Sequence, residues 1–396
     1  MRVMISSESY WPNKDGGAVF EHWLAHRLAD VGHQVAVVAP GRRLLARVET
    51  DGDTTIYRTP SVVLPLNPSY KITYRAMPTV RAAVEQFRPD VVHVNTMWLT
   101  GASLLKVARR KGIPIVATNH LMPENVLLSL PAALRQSAWL TNWFWRLLAR
   151  WHNQFDAVTS PTPSATALLG QHGLSCPLLD ISNGVDTLAY APAVTSPPRP
   201  ALLDRFQVAN DFVLYFGRVN KEKRLDQLVE AFAQVAKTTA ADLVIAGTGN
   251  AVADLGRLVA SLGLTHRVHL VGFISDEDKL ALAQGARLFA ITSPAELQSI
   301  VCLEAMATGL PIVAVDATAL GELCRDGRNG YLVRPGDTQG CADAICKVLG
   351  DDGLRQRFGQ ESRDFVVANH SCDATYQRFV RLYEDAIDGR LSAARL

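Results

Sequence analysis

The sequence predicts two doubly wound α/β domains, each built around a parallel sheet. Short apolar runs typical of buried parallel strands alternate with longer helical segments along the chain. With 396 residues, the chain exceeds the usual limit of one hydrophobic core, so two domains of about 180 residues each are expected. A hydrophobic content of 48% is enough to fill two such cores.

In the first domain, a pair of glycines lies between the first predicted strand and the first predicted helix. The predicted strands of this domain are residues 2–7, 34–39, 90–94, 114–118 and 157–160. Gly16 and Gly17 precede a helix over residues 18–31, where glycine lets the backbone approach a ligand and the helix N-terminus favours phosphate. An ordinary turn is the alternative interpretation. His120 follows the strand 114–118, at the sheet edge where ligands of open α/β sheets bind.

A helix is predicted over residues 133–155, and it is rich in tryptophan and arginine. It contains Trp139, Trp143, Trp145 and Trp151, with Arg135, Arg146 and Arg150, and no acidic residue. Indole rings and guanidinium groups together are typical of a helix lying at a membrane surface. A core helix with Leu140, Phe144 and Leu147 facing inward is the alternative, and both can hold on opposite faces. The segment 60–78, apolar and basic, is predicted as a loop that could line an acceptor opening.

The second domain is expected to begin after a linker rich in proline and serine, residues 192–200. Its first strand, 212–216, is followed by Gly217, Arg218 and, five residues further, Lys223. Two cations after a strand can neutralise a leaving diphosphate without a metal. A solvated group of surface charges is the alternative. Further strands are predicted at 243–246, 268–273, 286–291, 310–316 and 330–333.

Residues 293–311 contain two glutamates on either side of a predicted helix N-terminus. The helix is expected from Ile300 to about residue 308, with Gly309 ending it in a left-handed conformation. Backbone N–H groups near Gln298, Ser299 and Ile300 form an anion site suited to phosphate. Glu296 precedes the helix and Glu304 lies within it, so both can accept hydrogen bonds from sugar hydroxyls. Ordinary surface glutamates are the alternative.

Composition indicates the compartment and the partners. The six cysteines have no zinc-site spacing, which favours free thiols in a reducing compartment. No signal peptide or long apolar run is apparent, so a cytoplasmic protein, soluble or peripheral, is expected. Residues 1–175 have 18 Lys and Arg against 11 Asp and Glu, a net charge of +7, whereas the remainder has −5. A basic half with aromatic residues favours an anionic membrane over nucleic acid as partner.

The motif from Glu296 to Glu304, followed by Ala-Met-Ala-Thr-Gly-Leu-Pro, resembles the E-x7-E signature of family 4 retaining glycosyltransferases. The resemblance implies the GT-B fold, in which two Rossmann-like domains face a central cleft. Residues 1–190 would form the acceptor-side domain, with a C-terminal helix in 374–396 crossing back to it, and residues 201–373 would bind the nucleotide sugar. Leu297-Gln298-Ser299 replaces the usual Gly-Phe-Gly. That replacement resembles the branch of diacylglycerol glucosyltransferases and phosphatidylinositol mannosyltransferases.

The same resemblance implies roles for single residues of the second domain. The pattern Gly-Arg-x4-Lys places Gly217 against the donor and makes Arg218 and Lys223 the phosphate clamp. Glu296 would hold the transferred sugar and Glu304 the ribose. Gln298, Ser299 and Ile300 would bind the diphosphate, and Phe273 would border the nucleobase.

In the first domain, the resemblance implies that Gly16 and Gly17 face the donor diphosphate across the cleft. His120 would contact a sugar hydroxyl and stabilise the transition state. Arg135, Trp139, Trp143, Arg146, Arg150 and Trp151 are the expected membrane and acceptor residues.

The expected function is therefore retaining transfer of a hexose from a nucleotide diphosphate sugar, UDP-glucose favoured, to a lipid such as diacylglycerol at the inner face of the cell membrane. No metal or other cofactor is expected, and nucleic acid is not an expected partner. A soluble or polyprenyl-linked glycan acceptor is the first alternative. A GT-B sugar-nucleotide epimerase and a non-catalytic binding module are less favoured, because the Glu296/Glu304 pattern with Arg218 and Lys223 resembles a complete transferase site.

Overall fold

The computed structural model describes residues 1–12, 16–41, 44–64, 67–123, 127, 137–193 and 201–391. The chain forms two compact units, one of Met1–Asn183 with Thr375–Leu396, and one of Gly184–Ala374. Residues 184–190, which the sequence analysis assigned to the first domain, belong to the second unit. Within the described residues, no helix has the length and apolar character needed to cross a bilayer.

The first unit is built on an eight-stranded sheet in the order β10-β9-β8-β7-β1-β2-β4-β3. Its strands are β1 (Arg2–Ser6), β2 (Gln34–Pro40), β3 (Arg47–Asp51), β4 (Thr54–Thr59), β7 (Val91–Val94), β8 (Ile115–Thr118), β9 (Ala157–Ser160) and β10 (Leu178–Asp180). A separate hairpin consists of β5 (Ser61–Leu64) and β6 (Asn67–Thr73). All neighbours in the large sheet are parallel except β3 and β4, so β3 is an antiparallel edge strand.

Helices of the first unit connect these parallel strands. They are α1 (Gly16–Asp30), α2 (Ala76–Phe87), α3 (Leu99–Lys111), α4 (Ala138–His152) and α5 (Pro163–Gln171). The C-terminal helix, which begins at Cys372 and ends at Ile387, packs on the same core, where Phe379 and Tyr383 are fully buried with Phe20 and Ile5. The Tyr383 hydroxyl lies 2.8 Å from Nδ1 of His93, and this buried polar contact joins the helix to β7.

The segment 60–78 is not a loop, as the sequence analysis expected. It forms the antiparallel hairpin β5–β6 and the start of α2. The β-branched Val62 and Val63 favour a strand, but Pro60, Pro65 and Pro68 suggested irregular backbone. Pro65 and Leu66 lie outside the described residues.

The second unit is built on a six-stranded parallel sheet in the order β13-β12-β11-β14-β15-β16. Its strands are β11 (Phe212–Phe216), β12 (Asp242–Ala246), β13 (Val268–Gly272), β14 (Leu288–Ile291), β15 (Ile312–Val315) and β16 (Gly330–Val333). This is the order of a doubly wound sheet, whose direction of winding reverses between β11 and β14. Ligands of such sheets bind at the carboxyl ends of the strands at that point of reversal.

Helices of the second unit cover both faces of its sheet. They are α6 (Ala201–Arg205), α7 (Leu225–Thr238), α8 (Val252–Ser261), α9 (Asp276–Gly285), α10 (Ile300–Ala307), α11 (Leu320–Leu323), α12 (Thr338–Gly350), α13 (Asp352–His370) and the C-terminal helix α14 (Cys372–Ile387), whose later part belongs to the first unit. The predicted helix after residue 299 is confirmed, and Gly309 has the expected positive φ of 80°.

Candidate functional site

The loops that follow β11 and β14 meet at the point where the sheet reverses its winding. Lys223 lies in a short 3-10 turn, Lys221–Lys223, after β11, and Glu296 lies in the loop after β14. Their side chains form an ion pair, with Lys223 Nζ donating to Glu296 Oε1 at 2.7 Å. Both side chains are almost enclosed, at 10% and 11% exposure. The structure therefore brings together a predicted phosphate ligand and a predicted sugar ligand.

Two further contacts fix this arrangement. Thr292, directly after β14, donates its hydroxyl to the Arg224 carbonyl at 2.9 Å, which holds the 3-10 turn against the sheet edge. The Glu296 backbone N–H donates to Thr318 Oγ1 at 3.1 Å. Thr318 itself has an unusual φ of 44°. The backbone on both sides of the ion pair is therefore anchored to neighbouring loops.

Gly217 lets the loop after β11 turn sharply. Its φ is 138°, a value that side chains disfavour. The next loop packs directly on it, because a Cβ at Gly247 would lie 1.8 Å from the Gly217 carbonyl oxygen. Arg218 follows with an exposed guanidinium 3.9 Å from Glu222, and its carbonyl accepts a hydrogen bond from the Tyr215 hydroxyl at 3.0 Å. The two predicted clamp residues thus differ, since Lys223 is enclosed and Arg218 faces solvent.

Helix α10 begins beside Glu296. Ser299 is its N-cap, and the Ser299 hydroxyl accepts a hydrogen bond from the Cys302 N–H at 3.4 Å. Gln298 and Ser299 are buried, and Ile300 is half-buried. The first turn of a helix presents N–H groups and the positive end of its dipole, so the three predicted diphosphate ligands lie where an anion is favoured.

Glu304 is buried within α10. Lys279 of α9 donates to its Oε1 at 2.8 Å. Burial raises the pKa of Glu304, and Lys279 partly offsets that effect. Its second oxygen, Oε2, is buried and has no hydrogen-bond partner among the described residues. A buried acceptor without a partner is costly, so this atom is available for a ligand hydroxyl.

Phe273 lies directly after β13, and the residue is 77% exposed. A large aromatic ring exposed at the carboxyl edge of the sheet is suited to stacking on a planar ligand.

The predicted residues of the first unit lie on two of its connections. Gly16 and Gly17 are the first residues of α1, and Gly16 is exposed. His120 follows β8, and its ring lies 5.0 Å from the Phe20 ring of α1, centroid to centroid. Burial lowers the pKa of His120 to about 4, so the imidazole is neutral at pH 7. Its Nε2 atom is buried without a hydrogen-bond partner among the described residues.

Helix α4 has two different faces. Trp145, Leu148, Ala149 and His152 are buried, and Trp145 stacks on His172 at 5.4 Å. The opposite stripe is exposed and comprises Trp139, Trp143, Arg146, Leu147 and Arg150. Trp151 is half-buried against Phe155.

The predicted core packing is confirmed on one face, but Leu147 belongs to the exposed stripe and does not face inward. Contact of the exposed face with a membrane stays a prediction. Arg135 lies outside the described residues.

The sequence analysis missed Lys279 and Thr318. Each contacts a predicted site glutamate through the tertiary fold, from a separate loop or helix. Lys279 had one local signal, since it stands alone as a cation in the acidic first turn of α9, Asp276 to Asp278.

Each half of the chain matches the model of a known protein family. The model described as Glycosyltransferase Family 4 matches residues 15–188, and the one described as Glycosyl transferases group 1 matches residues 205–365. The chain belongs to the glycosyltransferases. The predicted family resemblance is therefore confirmed.

This glycosyltransferase has relatives named for different acceptors. It is 28% identical to the alpha-monoglucosyldiacylglycerol synthase of Acholeplasma laidlawii over 83% of this chain and 84% of that protein. It is 28% identical to the N-acetyl-alpha-D-glucosaminyl L-malate synthase of Bacillus anthracis over 98% of each. A sulfoquinovosyl transferase of Arabidopsis thaliana is 26% identical over 72% of this chain, and there the match spans only 55% of the relative's length.

Among solved structures, the glycosyltransferase resembles Anabaena HepE, whose structure is a complex with UDP-glucose. The TM-score is 0.75 at 21% identity, covering 97% of this chain and 100% of that chain. The GT-B fold with two Rossmann-like domains, predicted from the sequence, is confirmed.

Proposed function

We propose that this glycosyltransferase transfers a hexose, with retention, from a nucleotide diphosphate sugar to a lipid acceptor such as diacylglycerol at a membrane surface. UDP-glucose is the favoured donor. The observation that supports donor binding most directly is the enclosed Lys223–Glu296 pair at the reversal point of the second sheet, beside the N-terminus of α10.

The donor site has the hydrogen-bonding capacity that a sugar diphosphate needs. The Lys223 ammonium has three N–H donors, and its bond to Glu296 uses one, which leaves two for phosphate oxygens. A carboxylate offers about four lone-pair positions, so Glu296 can also accept bonds from sugar hydroxyls. Glu304 Oε2 supplies an acceptor for ribose, and the exposed ring of Phe273 a surface for the base. The roles proposed for His120, Gly16 and Gly17 rest on the family resemblance.

The proposed reaction follows a front-face route. The bond between the anomeric carbon and the phosphate oxygen breaks, and its electron pair stays on that oxygen. The acceptor hydroxyl oxygen bonds to the anomeric carbon from the same face, and its proton passes to the leaving phosphate oxygen. Arg218, Lys223 and the N-terminus of α10 stabilise the negative charge that develops on the diphosphate, which is the kind of stabilisation that usually dominates catalysis.

Two observations support a lipid acceptor. The exposed stripe of α4 combines Trp139 and Trp143 with Arg146 and Arg150, so rings that prefer the headgroup level stand beside cations that pair with lipid phosphates. The Acholeplasma relative is named for a diacylglycerol product. A soluble acceptor is the second candidate, because the relative that matches almost the whole chain is named for L-malate.

The test is nucleotide release from UDP-glucose and from GDP-mannose by the purified protein, with and without liposomes containing diacylglycerol, followed by lipid extraction. We expect release that requires liposomes, with sugar in the lipid fraction. The control is Lys223→Met, which should abolish release, while Lys221→Met, in the same turn but exposed, should keep it.

Other outcomes would contradict particular parts of the proposal. Nucleotide release at the same rate with and without liposomes would reject the lipid acceptor but would not contradict the donor site. Conversion of the donor to an epimer with no acceptor present would reject group transfer.

A further inference from the structure

A cluster of two histidines and one aspartate lies in the first unit, where the proposed reaction assigns no role. His22 and His26 are one helical turn apart on α1, and Asp51 ends the edge strand β3. One ligand atom from each of the three lies within 4.8 Å of the other two. Asp51 Oδ2 is 3.1 Å from His26 Nε2 and 3.6 Å from His22 Nδ1.

These separations fit a small cation. A tetrahedral zinc ion with bonds of about 2.0–2.1 Å holds its ligand atoms about 3.3 Å apart. The two distances to Asp51 lie on either side of this value, and the two imidazole nitrogens lie within 4.8 Å of each other, so side-chain rotations would complete the geometry. All three side chains are partly exposed, at 26% for His22 and 30% for His26 and Asp51, which leaves a path for the ion.

Hydrogen bonding alone does not account for the cluster. His26 bonds to Asp51, but Nδ1 of His22 is buried and has no hydrogen-bond partner among the described residues. The ring that holds this atom is nevertheless fixed, because Trp11 stacks on it at 4.8 Å with an angle of 12° between planes. His22 Nδ1 is therefore buried, held in place near a carboxylate and without a hydrogen-bond partner among the described residues. A nitrogen in this position is suited to bind a metal ion.

The donor set selects the class of ion. Two imidazoles and one carboxylate favour zinc and other late first-row metals, whereas magnesium and calcium prefer all-oxygen sites. Three protein ligands leave a fourth position for water. We propose that His22, His26 and Asp51 bind one Zn²⁺ ion, which cross-links α1 to the β3–β4 edge of the first sheet.

The test uses full-length protein without a histidine tag, stripped with EDTA, and ZnCl₂ as the probe in isothermal titration calorimetry. One equivalent should bind, and excess Mg²⁺ should not compete. His22→Ala, His26→Ala and the isosteric Asp51→Asn should each weaken binding by about 100-fold or more, because losing a direct ligand costs more than the about 10- to 100-fold cost of losing an outer partner. His266→Ala, which changes an exposed histidine of the second unit, is the matched control and should bind like the wild type.

A second readout is independent of affinity. Zn²⁺ should raise the Tm of the wild type and of His266→Ala, but not that of Asp51→Asn, because only an ion that binds the folded state stabilises it. Binding of less than half an equivalent by the wild type would overturn the proposal. An isotherm unchanged in all three cluster variants would also overturn it.

Discussion

At the scale of single residues, burial determines what the acidic groups can do. Glu304 bonds to Lys279 through one oxygen and leaves the other buried without a partner in the described part of the chain. Glu8 is half-buried, and its Oε1 accepts a hydrogen bond from the Thr100 N–H at 2.8 Å. Burial raises the pKa of Glu8 to about 7. The sequence alone gave no sign of either environment, since both depend on distant segments.

We expect Glu304→Gln to raise the KM for the donor sugar by about 10- to 100-fold and to change kcat by only a few-fold. In its proposed role, Glu304 binds the donor ribose equally in the ground state and in the transition state, and a hydrogen bond to a charged group contributes about 1.5–3 kcal/mol. Steady-state kinetics against donor concentration measure this effect. Glu361→Gln, at an exposed position of α13, is the control and should change neither parameter. A larger fall in kcat than rise in KM would reject the ribose assignment.

Glu8 should make stability depend on pH. The pKa of Glu8 is raised in the folded state, from 4.5 to about 7. Its contribution to the free energy of unfolding is therefore greatest below about pH 4.5 and is lost as the pH rises through 7. Glu8→Gln should remove this decline. The free energy of unfolding of the variant, compared with that of the wild type at the same pH, should therefore rise by up to about 3 kcal/mol from pH 4 to pH 8.

Urea unfolding at both pH values measures the change. Glu85→Gln, on the exposed face of α2, should give no such relative gain. The same slope in Glu8→Gln and wild type would show that Glu8 is not the responsible group.

At the scale of elements, α4 has one buried face and one exposed face. Residues at positions 139, 143, 146, 147 and 150 recur at helical spacing and form one exposed stripe, while Trp145 and Leu148 face the core. The sequence predicted the helix and its unusual composition. It did not decide which tryptophans were buried, because Trp occurs on both faces.

The variant Trp139→Ala/Trp143→Ala should bind anionic vesicles at least about tenfold more weakly than the wild type, because two large apolar rings are lost from the surface. Vesicle co-sedimentation measures the partition coefficient. The control is Leu262→Ala, at an exposed apolar position of the second unit. Arg146→Gln/Arg150→Gln should weaken binding only to vesicles that contain anionic lipid. Equal binding by wild type and the double tryptophan variant would exclude α4 as the membrane contact.

At the scale of the whole molecule, the chain folds into two units with separate cores. Phe379, in the C-terminal helix, is fully buried in the first unit, although nearly 200 residues of the second unit separate it in sequence from Asn183. Phe232 of α7 is fully buried in the second unit. Substituting each of the two phenylalanines in turn therefore tests whether the two units unfold independently.

Phe379→Ala should destabilise the first unit by about 3–5 kcal/mol, because it removes a fully buried ring. Hydrogen exchange should then show lost protection in peptides from residues 1–183, with peptides from 184–371 nearly unchanged. Phe232→Ala should give the reverse pattern. Equal loss of protection in both units from either variant would mean that they unfold as one.

The sequence by itself determined the α/β class, the strands at the centre of each sheet and the glycosyltransferase family, because apolar runs and the motif from Glu296 to Glu304 are local patterns. It also predicted α10 and its end at Gly309, since capping depends on neighbouring residues. The structure alone decided the β5–β6 hairpin, the contacts of Lys279 and Thr318 with the site glutamates, the half-buried environment of Glu8 and the grouping of His22 and His26 with Asp51. The hairpin is local, but its prolines obscured the strand pattern. Each of the others joins residues far apart in the chain, and such pairings depend on how the elements pack, which no local pattern encodes.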